Sequence, residues 1–279
     1  MYKVLKNKKI SSNSYEMIVE APLVVSKCIP GQFVIVMASE DGERIPLTIY
    51  DYDRDKGLLY LIYQVVGAST LELSKVEDEV FSVAGPLGNG NEICVNPEEF
   101  KDKKICYVAG GVGIAPVYPQ VKYLHDNGLK VDVIYGARNV DLLLIRQKVE
   151  KVVNKISYAT DDGSFGTKGF VTDILEKKIN DYDVVVTIGP VIMMKNVVDV
   201  CKKYNVKSIV SINPLMVDGS GMCGACRCVV DGKPKFACIH GPEFDGAKVD
   251  FDLALKRMNI YKEEEKELFD KAKKELGVE

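Results

Sequence analysis

Lys104-Ile-Cys-Tyr-Val-Ala-Gly110-Gly111-Val-Gly113-Ile-Ala115-Pro116 is where the chain changes character. The apolar run reads as a buried strand, and the glycines read as a tight turn into a helix. A helix N-terminus offers unpaired N–H groups and partial positive charge, which suits a pyrophosphate, and glycine lets a ligand approach the backbone. The segment is not a regular G-x-G-x-x-G, so a plain strand-to-helix turn is the competing reading.

Downstream, strands and helices alternate. The pattern predicts a helix through Val121, Leu124 and His125 to Gly128, then a strand at Val131-Asp-Val-Ile-Tyr135. Next come a helix from about Leu142 to Val153 and strands at 155–159, 184–188 and 208–210. Helices over 171–179 and 193–204 separate the later strands. This alternation means a doubly wound parallel sheet. Tyr135-Gly136-Ala137-Arg138 and Thr160-Asp161-Asp162-Gly163 open at the carboxyl ends of strands, where such sheets bind ligands. Asp161 and Asp162 would repel a ribose 2′-phosphate, favouring NAD(H) over NADP(H); Arg138 argues the other way. Met193 and Met194 read as core filler.

Upstream, the first hundred residues read as all-β. Tyr15-Glu-Met-Ile-Val-Glu20 alternates, and Gln32-Phe-Val-Ile-Val-Met37 and Leu58-Leu-Tyr-Leu-Ile-Tyr-Gln-Val-Val66 are β-rich, with turns at Pro30-Gly31, Asp41-Gly42 and Lys56-Gly57. Short strands at this spacing predict a small barrel. Three pieces stand out. Arg44-Ile-Pro46-Leu47-Thr48 lies between strands. Val66-Gly67-Ala-Ser69-Thr70 could cap a short helix and leave N–H groups free for phosphate. Gly85-Pro86-Leu87-Gly88 reads as a tight turn. The bland alternatives are a surface arginine, an ordinary N-cap and a loop.

Asp218-Gly-Ser-Gly-Met-Cys223-Gly-Ala-Cys226-Arg-Cys228, followed by Cys238, holds four of the eight cysteines. Plant-type two-iron clusters use C-x4-C-x2-C and a distant fourth cysteine. Cys223 and Cys226 supply the C-x2-C, Cys238 is the distant one, and Asp218 stands where the first cysteine would be. The spacing reads as a [2Fe–2S] cluster held by Asp218, Cys223, Cys226 and Cys238. Structural zinc on Cys223, Cys226, Cys238 and His240 is the competing reading. Free thiols are a third, and a disulfide is disfavoured in an intracellular setting. Cys228 reads as a structural thiol.

The chain has 279 residues, 47% hydrophobic and 28% charged, with a formal net charge of −3. This gives no electrostatic case for nucleic acid, and no apolar run approaches the ~20 residues of a membrane span. The opening Met1-Tyr-Lys-Val-Leu-Lys6 reads as a strand rather than a targeting peptide, so a cytoplasmic location is expected. Two histidines, His125 and His240, give little support to histidine acid–base chemistry. A charged helix over about 253–276 reads as a solvated face. The expected divisions are 1–98, a barrel; 99–213, an α/β domain; and 214–279, a cysteine loop and helix.

Together these motifs resemble the ferredoxin–NADP reductase superfamily, which joins an FAD-binding barrel to a nicotinamide-binding α/β domain. Within it, the chain is similar to electron-transfer subunits with a C-terminal [2Fe–2S] loop. These include those of dihydroorotate dehydrogenase and the small subunits of NADH-dependent reduced ferredoxin:NADP oxidoreductase. Asp218 and the Gly241-Pro-Glu-Phe-Asp-Gly246 run favour the latter. The resemblance covers essentially the whole chain and implies residue roles. Arg44, Pro46, Leu47 and Thr48 would line the flavin. Gly67, Ser69 and Thr70 would hold the FAD phosphates. Gly110, Gly111, Gly113, Ala115 and Pro116 would form the nicotinamide-cofactor loop, with Gly136, Arg138 and Asp161 beyond it. Many relatives place an arginine directly before the Pro or Tyr of the flavin motif, where this chain has Ile45. The implied activity is hydride transfer between NAD(H) and FAD, then single-electron exchange with the cluster. The implied partner is a larger flavin and [4Fe–4S] catalytic subunit that uses ferredoxin in an electron-bifurcating complex. A dihydroorotate dehydrogenase partner and a non-catalytic, zinc-stabilised binding module are the alternatives.

Overall fold

A computed structural model describes residues 1–278. Seven strands form the first sheet: β1 (Tyr2–Lys9), β2 (Ser14–Glu20), β3 (Phe33–Met37), β4 (Ile45–Asp53), β5 (Leu58–Gln64), β6 (Glu79–Val80) and β7 (Ser82–Leu87). Their order is β6-β1-β2-β5-β4-β3-β7, with antiparallel pairing throughout. The two edge strands are joined through the single residue Phe81, so the sheet must curl round on itself into a near-closed barrel. Alternation fills it. Leu59, Leu61 and Tyr63 of β5 point into the barrel core with Met17, Val19 and Val34.

The second sheet runs β11-β10-β9-β8-β12-β13-β16. Its strands are β8 (Ile105–Gly110), β9 (Val131–Ala137), β10 (Lys155–Thr160), β11 (Thr167–Lys168), β12 (Val184–Ile188), β13 (Lys207–Ser211) and β16 (Glu243–Asp245). All pair in parallel except β16. The chain winds outward from β8 through β9 to β10, then returns to the other side of β8 for β12 and β13. The carboxyl ends of β8 and β12 therefore frame the crevice where strand order reverses, the preferred ligand position in such sheets. β8 and β12 are buried along their whole length, which is why they read as apolar runs, Thr187 apart. A hairpin of β14 (Arg227–Val230) and β15 (Lys233–Phe236) carries the chain from the cysteine loop towards Cys238.

The expected helix over 142–153 is mostly absent. A 3-10 turn spans Val140–Leu142, and a helix spans only Arg146–Glu150. The cause is Tyr135. Its buried hydroxyl accepts the Leu144 amide at 2.8 Å, and its proton is shared between the Gly111 and Leu142 carbonyls at 3.1 Å each. Ile145 then turns through φ 47° before the helix can start. The tail is also two helices rather than one, Phe251–Met258 and Lys262–Glu275, broken at 259–261.

The two lobes meet along the helix Ile114–Asp126, which packs on β4. Tyr50 and Ile62, on the barrel's outer face, belong to the same buried cluster as Tyr107, Ile114 and Tyr118. Lys122 pairs with Asp51 at 2.8 Å, and Lys148 donates to the Tyr50 hydroxyl at 2.6 Å. Such part-exposed polar contacts contribute up to about 1 kcal/mol each. Burying a large apolar side chain contributes roughly 2–3 kcal/mol, so packing sets this seam and charge aligns it. Among the described residues, no helix is long and apolar enough to cross a membrane.

Candidate functional site

A cavity of about 1120 Å³ opens between the barrel and the switch point of the parallel sheet. It gathers Arg44, Pro46, Leu47, Thr48, Gly67, Ser69, Thr70, Gly110, Gly111, Gly113, Pro116, Gly136, Arg138 and Asp161 into one lining. Of the candidate cofactor residues, Ala115 alone is not on the wall. It is 1% exposed and packs beneath it.

Local geometry explains several of these residue types. Gly113 comes so close to β12 that an added Cβ would lie 2.2 Å from the Ile188 carbonyl oxygen. A Cβ on Gly110 would lie 2.4 Å from the Met193 sulfur. These glycines let the first turn of the helix Ile114–Asp126 approach the strands, keeping the crevice open at that turn. Met193 thus abuts the glycine loop as well as the core. On the barrel side, the Thr70 hydroxyl accepts the amides of Val66 and Gly67 at 3.0 and 3.1 Å. This fixes the entry to the helix Ala68–Leu73. The Ser69 hydroxyl donates to Glu43, another lining residue.

Two walls were not foreseen from the sequence. Asn213, Pro214, Leu215 and Met216, which lead into the cysteine loop, line the cavity. So do Arg257, Met258, Tyr261, Glu265 and Leu268 from the terminal helices. The tail is therefore not simply a solvated face, for one side of it turns onto the cavity. Met258 and Leu268 interrupt the charged run, too sparsely to mark a buried stripe.

The cysteine loop sits against the barrel. Cys226 and Cys238 are buried with Phe33, Ile35, Met216 and Ala237. Their sulfurs are 3.2 Å apart, far beyond a disulfide bond. Asp218 accepts the amides of Ser220 and Cys223, at 2.5 and 3.0 Å. These bonds hold its carboxyl far below the usual carboxylate range, so it is present as an anion. Cys223 is exposed. Among the described residues, no three His, Cys, Asp or Glu side chains are gathered closely enough to hold an ion as they stand. The donor set nevertheless fits a [2Fe–2S] cluster. Two sulfurs already adjoin, an anionic carboxylate and a third thiol share the loop, and Gly219, Gly221 and Gly224 carry positive φ that permits local adjustment. His240 does not join the thiols. Its Nδ1 stays within its own turn, 3.1 Å from the Phe236 amide and 3.3 Å from the Phe236 carbonyl. Cys228 lies in a different core cluster, against Val230 and Phe251, as a structural thiol should.

Met216 links the two sites. It lines the cavity and belongs to the small core that holds Cys226 and Cys238.

Known proteins resemble this chain. The iron–sulfur cluster binding domain of dihydroorotate dehydrogenase B matches residues 213–250, and the oxidoreductase NAD-binding domain matches residues 107–199. The Thermotoga maritima homolog of the dihydroorotate dehydrogenase B (NAD(+)) electron transfer subunit is 41% identical, over 98% of this chain and 96% of its own. The Clostridium acetobutylicum electron transfer subunit of that enzyme is 35% identical, over 88% and 95%. A chain from the structure of the NADH-dependent reduced ferredoxin–NADP oxidoreductase, a flavin-based electron bifurcation system, superposes with TM-score 0.89. It is 39% identical and covers 97% of both chains.

Proposed function

This chain belongs to the family of dihydroorotate dehydrogenase B electron-transfer subunits, and we propose that it is the NADH-oxidising, electron-delivering subunit of an NADH-dependent reduced ferredoxin:NADP oxidoreductase. The observation that supports this reading is Met216, which lines the cavity and belongs to the same small buried core as Cys226 and Cys238. The close superposition with the bifurcating enzyme favours that complex.

When bound, FAD, NAD(H) and a [2Fe–2S] cluster supply the conversion of a two-electron hydride into single electrons. The protein binds and orients. Arg44, Pro46, Leu47 and Thr48, which line the cavity, would hold the flavin. Gly67, Ser69 and Thr70 offer their turn to the flavin phosphates. Gly110, Gly111, Gly113 and Pro116, backed by Ala115, hold the nicotinamide nucleotide's phosphates at the sheet's switch point. Gly136, Arg138 and Asp161 flank its ribose. Asp218, Cys223, Cys226 and Cys238 are the iron ligands. The proton that accompanies the hydride's two electrons would pass to water, and no histidine lines the cavity. The partner is a larger flavin and [4Fe–4S] subunit, with ferredoxin reached through it.

Anaerobic purification from a native source tests this. We expect flavin and two-iron absorbance, two irons per chain without zinc, bleaching by NADH, and a larger iron–sulfur flavoprotein co-purifying. A colourless, zinc-containing chain that binds no FAD would overturn the reading. The matches to dihydroorotate dehydrogenase B support a second reading, with that enzyme's catalytic subunit as partner. Flavin bleaching by dihydroorotate in the purified complex would establish it.

A further inference from the structure

Arg257 stands between the cysteine loop and the cavity. It lies in the last turn of the helix Phe251–Met258. That helix is anchored at its start. Asp250 accepts the Leu253 amide at 2.9 Å, and Phe251 is buried against Val191, Val198 and Cys228. The anchoring fixes where the guanidinium can reach. Its Nη2 donates to the carbonyl of Ala225 at 3.1 Å. Ala225 is flanked by Gly224 and Cys226, inside the proposed ligand run. The same side chain lines the cavity. Its Nε–H is buried without an acceptor. Among the described residues, no carboxylate lies within 4.0 Å of it, so its charge is not neutralised by an ion pair.

An unpaired, partly desolvated cation is costly unless something nearby uses its charge. Resting on the cluster reading above, we propose that Arg257 is the positioning residue that raises the reduction potential of the iron–sulfur site and so draws electrons from the flavin cavity. The balance is simple. Each electron leaving the flavin would take one iron from ferric to ferrous and add one negative charge to the iron site, and the proton that arrived with the hydride would pass to water when the second electron leaves. A fixed positive charge beside the loop stabilises that added charge more than the oxidised state. The bond to the Ala225 carbonyl holds the cation in place, and Lys, with a flexible ammonium, could keep the charge though not the planar fork.

The test is an EPR-monitored redox titration of purified holoprotein in four forms: native, Arg257→Gln, Arg257→Met and Arg257→Lys. Removing the charge should lower the equilibrium constant for one-electron reduction on the order of tenfold, 59 mV for a single electron, in both Gln and Met variants. The Lys variant should stay within about threefold of native. The proposal is overturned if either charge-free variant titrates with the native potential. It is also overturned if Lys falls as far as Gln, since the residue would then be only a strap on the loop. A native protein without a two-iron EPR signal would instead overturn the cluster reading itself.

Discussion

Glu243 is the residue whose replacement should be felt most clearly as a function of pH. It starts β16, yet its carboxyl turns inward and is enclosed, although the residue keeps some exposed surface. Asn91 Nδ2 donates to one oxygen at 2.6 Å, and Gln120 Nε2 donates to the other at 2.8 Å. Among the described residues no cation accompanies these amides, and nearby Glu92 adds repulsion although Lys207 pairs with it. Burial wins over the two hydrogen bonds, and the carboxyl is pushed up from the ordinary 4.5 to about 7. The folded protein therefore binds this proton more tightly than the unfolded chain. The stability it contributes is fully present below pH ~4.5 and is lost as pH rises to about 7, where the native group also ionises. The difference amounts to about 3 kcal/mol. Glu243→Gln removes the charge and can keep the contacts. Its amide oxygen accepts from Asn91. Its NH2 can donate to Gln120 once that side chain flips, because Gln120 Oε1 has no partner at present. We expect the variant to exceed the native protein by less than about 1 kcal/mol near pH 5 and to gain roughly 6–12 °C in Tm at pH 8. Calorimetry of both holoproteins at pH 5, 6, 7 and 8 isolates this group, because all other titrations are common to the pair. A Tm difference that stays constant across that range would refute the reasoning.

Gly113→Ala should be severely disruptive. Its Cβ would meet the backbone carbonyl of Ile188, which cannot move without shifting β12. We expect a loss of about 1–3 kcal/mol and weaker NADH binding, read by thermal melts and fluorescence titration. Tyr135→Phe strands the Leu144 amide and the Gly111 carbonyl. It should cost about 1–3 kcal/mol in urea unfolding, and an unchanged midpoint would contradict the role given to that hydroxyl. Asp218→Cys should retain a two-iron EPR signal with altered g-values and a shifted potential, because thiolate is the softer ligand; an unaltered spectrum would remove Asp218 from the coordination sphere. Truncation after Met258 removes Tyr261, Glu265 and Leu268 from the cavity wall. It should weaken FAD retention on gel filtration.

Much of this architecture was legible in local patterns. β8 and β12 are almost wholly apolar because both their faces are covered, and the alternation in β2 reflects a barrel with one face turned to its core. The candidate nucleotide loops were legible because they follow strands, and strand ends converge in a parallel sheet. Legibility failed where distant residues decide. Nothing near 142–153 reveals that the Tyr135 hydroxyl captures the Leu144 amide and forestalls a helix. The tail's charge hid its contact with the cavity, because Met258 and Leu268 form too sparse an apolar stripe to signal burial. The Asn91–Glu243–Gln120 contact joins residues up to 152 positions apart, beyond the reach of any periodicity. Arg257 was equally silent, since its meaning depends on the Ala225 carbonyl across the fold.

The strand β16 adds itself to β13 after the cysteine loop has crossed to the barrel. A chimera stitched near residue 213 would thus leave an unprotected sheet margin at β13, inviting aggregation. The iron-binding stretch is accordingly not a detachable cassette: grafting it onto another reductase would require transplanting the sheet edge together with the loop.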